Sequence, residues 1–548
     1  MFLSITCVGA ADLNESLDGG EPLSACENSE IITAKNDIGD FSQLSDEINR
    51  SFESKKLDLT KDYAFNPEKD NEYGEGIIID IDDLTIDGKG HTIDADKKAR
   101  IFNIKSNNVI LKNINIVNGK SQSNGGAIYW SGLNGTIINS QIRNSATPNI
   151  GGGIYFEKDG KVINTNFENN TAYFGGAVNF QNQGKVINST LKDNYATLLG
   201  GGIYFVDAGS VINSTLTRNE GGDGGGVYFF KTGLVDNSKF LNNIAIGYGG
   251  GATSDGNLIV RDSYFANNSG MFAGSIFFKD TGNVENTLFI NNSAKRESGA
   301  LYFMRKGTVD NSTFIENSAS WAGSVLFDKE GIVKKSTFTS NAAATEGGAI
   351  YFSTIGTVEN SIFSQNSANS GGAIYAQYGE ITINNTKFSN NLAKLKGSSL
   401  YLSSQKISLN KLLFTSKSDY DNELYINNPN TSINNIVFKK VVETKIVEKV
   451  IKPKTKLKTA ITAKSKTFKA KSKTKKITIT LKGNKKILKK KKVTLKINKK
   501  TYTAKTNSKG KATFKIKLTK KGKFKTIIKF AGDKTYKASQ KNIYIKIK

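Results

Sequence analysis

One motif that returns every 24 or 25 residues decides most of what this chain can fold into. Gly125-Gly-Ala-Ile-Tyr-Trp130 comes back as Gly151-Gly-Gly-Ile-Tyr-Phe156, Gly175-Gly-Ala-Val-Asn-Phe180, Gly200-Gly-Gly-Ile-Tyr-Phe205 and Gly224-Gly-Gly-Val-Tyr-Phe229. It continues through Gly249, Ala273, Ser298, Ala322, Gly347 and Gly371 to a degraded copy at Gly397. After a first gap of 26, the second glycine alternates 24 and 25 from Gly152 to Gly372. Two more ladders keep the beat. One is Phe167, Leu191, Leu216, Phe240, Phe265, Phe289, Phe314, Phe338, Phe363 and Phe388, each followed three residues later by Asn, from Asn170 to Asn391. The other runs Asn139, Asn164, Asn188, Asn213, Asn237, Asp262, Asn286, Asn311, Lys335 and Asn360.

A unit of this length with short period-2 stretches and no helical pattern holds strands and turns. It cannot bury a core alone, whereas stacked units can, each adding one rung to parallel sheets. Ile128, Ile154, Val178, Ile203 and Val227 form one column, and Trp130, Phe156, Phe180, Phe205 and Phe229 another. Two residues apart on a strand, both face the lumen, and the tyrosine between them faces out. Asn suits tight corners and can bond the Asn of the next coil; the glycine pair marks another corner. The expected fold is all-β: a right-handed parallel β-helix solenoid, about 70 Å long if 14 or so coils stack at 4.8 Å.

Earlier and later segments lack the double glycine. Ile77 to Asp94 and Val109 to Val117 alternate like first rungs, and Phe41 to Phe52 has helical spacing suited to a cap over the open end. After Asn391 the ladder fades, and a Lys/Val/Glu-rich stretch with Pro453 reads as a linker. Beyond it, Lys476–Leu481, Val493–Ile497, Ala512–Leu518 and Phe524–Phe530 are short strands separated by turn residues, the pattern of a small Ig-like β-sandwich. The expected organisation is a partial signal peptide at 1–10, an N-terminal segment and cap at 11–75, the β-helix at 76–438, a Lys-rich linker at 439–463 and the sandwich at 464–548. The signal-peptide reading rests on the short apolar run Met1–Ala10 with Val8-Gly9-Ala10 as a small-residue cleavage site. Cleavage would remove Cys7 and leave Cys26 alone, with no internal disulfide.

Charge separates the two halves. Residues 439–548 carry 40 Lys, no Arg and 3 acids, a net of +37, while residues 1–438 carry a net of −10. Lysines alternating with apolar residues make a solvated sheet face, or hold the module on an anionic cell envelope. With no Arg and no base-stacking motif, nucleic acid is not an expected partner. A single His argues against a histidine metal centre, and no cofactor is expected.

The paired Gly-Gly-Ala-Ile and Phe-x-x-Asn motifs, as in Gly348-Ala349-Ile350 with Phe363-Ser-Gln-Asn366, resemble the repeats of chlamydial polymorphic membrane proteins. The whole layout, with Thr506–Phe514 and Phe530–Ser539 looking like an Ig-like unit, more closely resembles adhesin-like proteins of methanogenic archaea. The resemblance implies a secreted or cell-surface adhesin that binds an extracellular glycan or cell-surface protein.

The rival is a polysaccharide lyase or glycosidase, since β-helices also carry such enzymes. Its best acidic cluster is Asp80, Asp82, Asp83, Asp87, Asp94 and Asp96, with His91 and Arg100 nearby. These also fit turn and solvent-facing positions of the first coils. From Gly126 to Gly397 no insertion exceeds two residues, which leaves no room for a long loop over a cleft. No catalytic or metal residue is therefore assigned. The expected binding feature is the outward column Tyr129, Tyr155, Tyr204, Tyr228, Tyr302, Tyr351 and Tyr375, whose rings could stack on sugars or anchor a partner. The same rings could instead stack on one another and stiffen the sheet. Sequons at Asn134, Asn169, Asn188, Asn213, Asn267, Asn291, Asn311, Asn384 and Asn430 largely follow the repeat, and only outward ones are open to glycosylation.

Overall fold

The computed structural model describes residues 38–416, 420–428, 431–440 and 457–548, the last without 473, 485 and 534. The expected signal peptide, Cys7, Cys26, Asn430 and most of the expected linker lie outside the described residues. The chain divides into two compact units at Val442 and Glu443.

The first unit is the parallel solenoid that the repeat demands. Each motif pairs with the next in register: Val178, Asn179 and Phe180 lie beside Ile203, Tyr204 and Phe205, which lie beside Val227, Tyr228 and Phe229. This column alone forms a sheet of 15 parallel strands, so about fifteen coils stack. A second long sheet contains the Gly135–Ile138 and Gln141–Arg143 type strands, and a third, of ten strands, runs from Thr171–Phe174 to Leu392–Lys396.

The lumen is filled by columns of identical side chains. Phe156, Phe180, Phe205 and Phe229 stack with ring centroids 5.0–5.1 Å apart. Phe314 lies 4.8 Å from Phe289 and 4.6 Å from Phe338, and is fully buried. Beside this second column run the asparagines. The Asn268 Nδ2 donates to Asn292 Oδ1 at 3.0 Å, Asn292 Nδ2 donates to Asn317 Oδ1 at 2.9 Å, and each also donates to a backbone carbonyl. The backbone N–H of each Asn donates to the same next oxygen. The chain of amides ends where Asn391 Nδ2 meets Ser399 Oγ, which donates to the buried carboxylate of Glu423. Buried amides thus keep their hydrogen bonds by repeating them.

The corner glycines have separate reasons. The first has φ between +61° and +76° in nine coils, which favours glycine. The second has no room: a Cβ on Gly323 would stand 1.9 Å from the carbonyl oxygen of Gly348.

The N-terminal end carries a helix, α1 (Phe41–Arg50), started by a capping box between Asp40 and Gln43, with Phe41, Leu44 and Ile48 buried. The parallel rungs begin before residue 76, because Lys56–Asp58 pairs with Thr85–Asp87 and Tyr63–Ala64 pairs with Ile93 and Asp94. They also run past the fading motif to Lys406–Ser416 and Thr431–Lys440, where Leu409 and Phe414 keep the lumen filled without the glycine pair.

The second unit has two sheets. Lys475–Gly483 pairs antiparallel with Thr459–Thr462, Lys486–Ile487 and Lys511–Ile516. Gly522–Phe530 pairs antiparallel with Lys492–Ile497 and Ser539–Ile547. Ile477, Leu481 and Phe514 from the first sheet share one core with Leu495, Ile528 and Ile545 from the second. Thr459–Thr462 is strand where linker was expected, because Ile461 reaches that core. Lysines fill many of the outward positions, as the alternating burial of Lys511–Ile516 shows, while Lys475 is buried.

Candidate functional site: an aromatic and acidic outer face

The tyrosine column leaves the lumen as expected but does not stand free. Tyr155, Tyr228, Tyr351 and Tyr375 are buried, and Tyr129, Tyr204 and Tyr302 half-buried. The rings do not form an open line. Part of the reason is mutual stacking: Tyr129 lies 5.4 Å from Tyr155, Tyr351 5.2 Å from Tyr375, and Tyr375 4.6 Å from Tyr401.

The rest of the cover comes from a column that sequence reasoning passed over. It is the residue before the glycine corner: Asn124, Ile150, Phe174, Leu199, Asp223, Tyr248, Phe272, Glu297, Trp321, Glu346, Ser370 and Lys396. It keeps the period but not the residue type, so it gives no ladder to the eye. Phe174 packs 5.5 Å from Tyr204, Tyr248 4.3 Å from Phe277, and Trp321 5.8 Å from Tyr351.

A third column, the residue after each motif, receives the tyrosine hydroxyls. Tyr129 donates to Glu157 at 2.5 Å, Tyr228 to Asp255 at 2.9 Å, Tyr302 to Asp328 at 2.7 Å and Tyr351 to Gln377 at 2.6 Å. Acids before the corner face the same hydroxyls. The result recurs along the solenoid as Asp223, Tyr228 and Asp255, again as Glu297, Tyr302 and Asp328, and with Gln377 in place of the second acid as Glu346, Tyr351 and Gln377.

Electrostatics separates this face from the rest. Burial raises the Glu297 carboxyl above its ordinary range; Arg296, 3.7 Å away, opposes the shift and Asp328 adds to it. Burial likewise raises Glu346, which the Tyr375 hydroxyl partly offsets, and Asp223, where the Tyr248 backbone N–H opposes and Asp255 adds. Burial and the Glu157 contact push Tyr129 up to about 12, and burial drives Tyr302 up still further. Shifts from desolvation beside like charge mark functional sites more often than plain surface.

The acids of the first coils behave differently. Asp80, Asp82, Asp83 and Asp96 are exposed. Burial pushes Asp87 up, but Asn113, Lys89 and Lys112 together pull it well below the ordinary carboxylate range. His91 Nδ1 lies 3.0 Å from Asp62, and Arg100 is buried among Gly125 O, Glu75 O and Ser121 Oγ. Among the described residues no group of three His, Cys, Asp or Glu side chains is placed to hold a metal ion. No helix of the described residues is long and apolar enough to cross a membrane.

Comparison with known families matches residues 201–354 to the right handed beta helix region and residues 360–377 to the Chlamydia polymorphic membrane protein repeat. Solved structures similar to the chain include the tailspike protein of E. coli bacteriophage HK620 in complex with pentasaccharide, 9% identical, covering 92% of this chain and 88% of that one, TM-score 0.37. A double mutant of the same tailspike, at 9% identity and the same coverage of 92% and 88%, gives a TM-score of 0.34. No curated protein matches. The chain is a right-handed parallel β-helix repeat protein. Its middle coils carry the matched β-helix region, and the match to the polymorphic membrane protein repeat falls on the coil of Gly371.

Proposed function

We propose that the chain is a non-enzymatic cell-surface or secreted adhesin-like protein, a rigid β-helix that binds glycan or protein on another surface. The observation that carries this reading is the aromatic and acidic face laid along coils that no inserted loop covers. A surface of this kind suits recognition over several rungs rather than enclosure of one small molecule. The basic two-sheet unit is read as an Ig-like spacer that tethers the solenoid to an anionic envelope. Salt at 1 M, where charges are screened beyond about 3 Å, is expected to release the protein from envelopes; full retention would remove the electrostatic tether.

One observation favours the second reading, a glycan-cleaving enzyme. Glu297, with its raised carboxyl, and Asp328, which accepts the Tyr302 hydroxyl, are two acids in unlike environments on one face, the arrangement acid–base hydrolysis uses. The deciding experiment is a glycan array and cell-binding assay on the full chain, run with an assay for new reducing ends and unsaturated products. Binding without bond cleavage supports the adhesin. Cleavage that disappears in Glu297→Gln replaces it with the enzyme. Absence of any glycan or cell binding overturns it.

A further inference from the structure

The glycan-binding reading leaves open where on the solenoid a ligand sits and what chemistry it has. Trp321 narrows both. The chain has two tryptophans; Trp130 is fully buried in the lumen, whereas Trp321 is 44% exposed. Trp321 leans at 41° to the Tyr351 ring rather than lying flat on it, so much of the indole stays open to solvent.

Its neighbours along the column are the two desolvated glutamates. Glu297 stands one coil before and Glu346 one coil after, about 10 Å apart over two strand spacings. The backbone N–H of Trp321 donates to the Arg296 carbonyl at 3.0 Å, and that of Ala322 donates to the Glu297 carbonyl at 2.8 Å, which sets the Trp321 backbone on the rung beside Glu297. Asp328 adds a third acceptor on the same face, with one oxygen taking the Tyr302 hydroxyl at 2.7 Å and the other Ser353 at 3.3 Å. Arg296 is drawn partly aside, 5.2 Å over the Phe272 ring. The group that eases Glu346 is the neutral Tyr375 hydroxyl.

The backbone is also different here. Ser298 and Ala322 replace the first glycine of the corner, and neither has its left-handed φ, which returns at Gly347 with φ 67°. The repeat therefore does not dictate this patch.

We propose that Trp321 is the stacking platform for one pyranose ring of a glycan whose polar groups are donors, with Glu297, Asp328 and Glu346 accepting from its hydroxyl or amino groups. This rests on the binding reading above and names the ligand class and the place. An indole face takes the C–H face of a sugar, and acceptors on the rungs either side take the equatorial groups. Acidic side chains on the rungs either side and on the Trp321 coil disfavour uronate and sulfate groups, so neutral or amino sugars are the expected ligands.

The test uses the full chain with oligosaccharides of neutral hexoses, of hexosamines and of uronic acids. The expected result is binding in the hexose or hexosamine arm alone, with a change in tryptophan emission and protection from acrylamide quenching, since Trp130 is buried in either state. Trp321→Ala is expected to weaken binding at least tenfold with unchanged circular dichroism and melting temperature. Trp321→Phe should keep part of the affinity, and Glu346→Gln should weaken it several-fold. A ligand bound equally well by Trp321→Ala overturns this site and leaves the adhesin reading standing. Preference for uronic acids overturns the ligand class. Binding to cells through a protein, with no oligosaccharide bound in any arm, overturns the proposal outright, and absence of both kinds of binding overturns the adhesin reading with it.

Discussion

The inside and the outside of the same coils carry aromatic columns of the same period, and they have been put to opposite uses. Inside, Phe289, Phe314 and Phe338 repeat one ring, and Asn268, Asn292 and Asn317 repeat one amide, so each buried group meets a copy of itself. Outside, the column over the tyrosines changes from Phe272 to Glu297 to Trp321 to Glu346 in successive coils. Uniformity is required where no water can satisfy a polar atom or fill a gap. It is relaxed where solvent can, and that freedom is where recognition chemistry can be written.

The contrast can be broken from the inside first. Phe314→Ala leaves a ring-sized void between two stacked phenylalanines and is expected to cost about 3–5 kcal/mol in urea unfolding. Asn292→Ala strips the acceptor from both the backbone N–H and the Nδ2 of Asn268, and a loss of about 2–3 kcal/mol is expected by the same measurement. A loss below half of that would mean that the amide chain is not a structural ladder.

The outer edge should yield smaller effects. Asn213 is exposed with φ 52°, and its amide bonds to Asn188 and Asn237 are solvent-exposed and worth little, so Asn213→Ala meets mainly the left-handed backbone penalty, about 1 kcal/mol. Asn213→Gly, free of that penalty, should recover most of it.

The smallest effect sharpens the comparison through its sign. Burial raises the Glu346 carboxyl in the folded state, so its contribution favours folding below the ordinary glutamate value of 4.5 and is lost as pH rises through the raised value. Glu346→Gln is therefore expected to be slightly more stable than the parent at pH 7 and indistinguishable from it near pH 3, in paired melts. Asp87 has the opposite sign: its lowered carboxyl stabilises above the ordinary aspartate value of 3.8 and is lost on acidification. A Glu346→Gln variant destabilised at neutral pH would show that this carboxylate is held by partners, as Asp87 is.

Much of the fold was legible because each lumen position repeats a residue type. The Phe and Asn ladders, the glycine corner and the alternation around Tyr129 or Tyr351 are visible as columns. The first and last rungs were less legible. Lys56–Asp58 and Thr431–Lys440 pair with their neighbours without carrying the motif, because any apolar residue that fills the lumen will serve there. Of the candidate face, the tyrosines were found and their outward direction followed from alternation. Their cover was missed, since Phe174, Glu297 and Trp321 share a position and nothing else.

By itself the sequence determined a parallel solenoid, because a 24-residue unit that cannot bury its own apolar side chains must stack on its copies. It determined, too, that the basic charge falls in the C-terminal unit. Only the tertiary structure decided which rings meet water. Exposure depends on what a neighbouring coil lays over a side chain, and so Tyr351 is covered while Trp321, between two desolvated carboxylates, is left open.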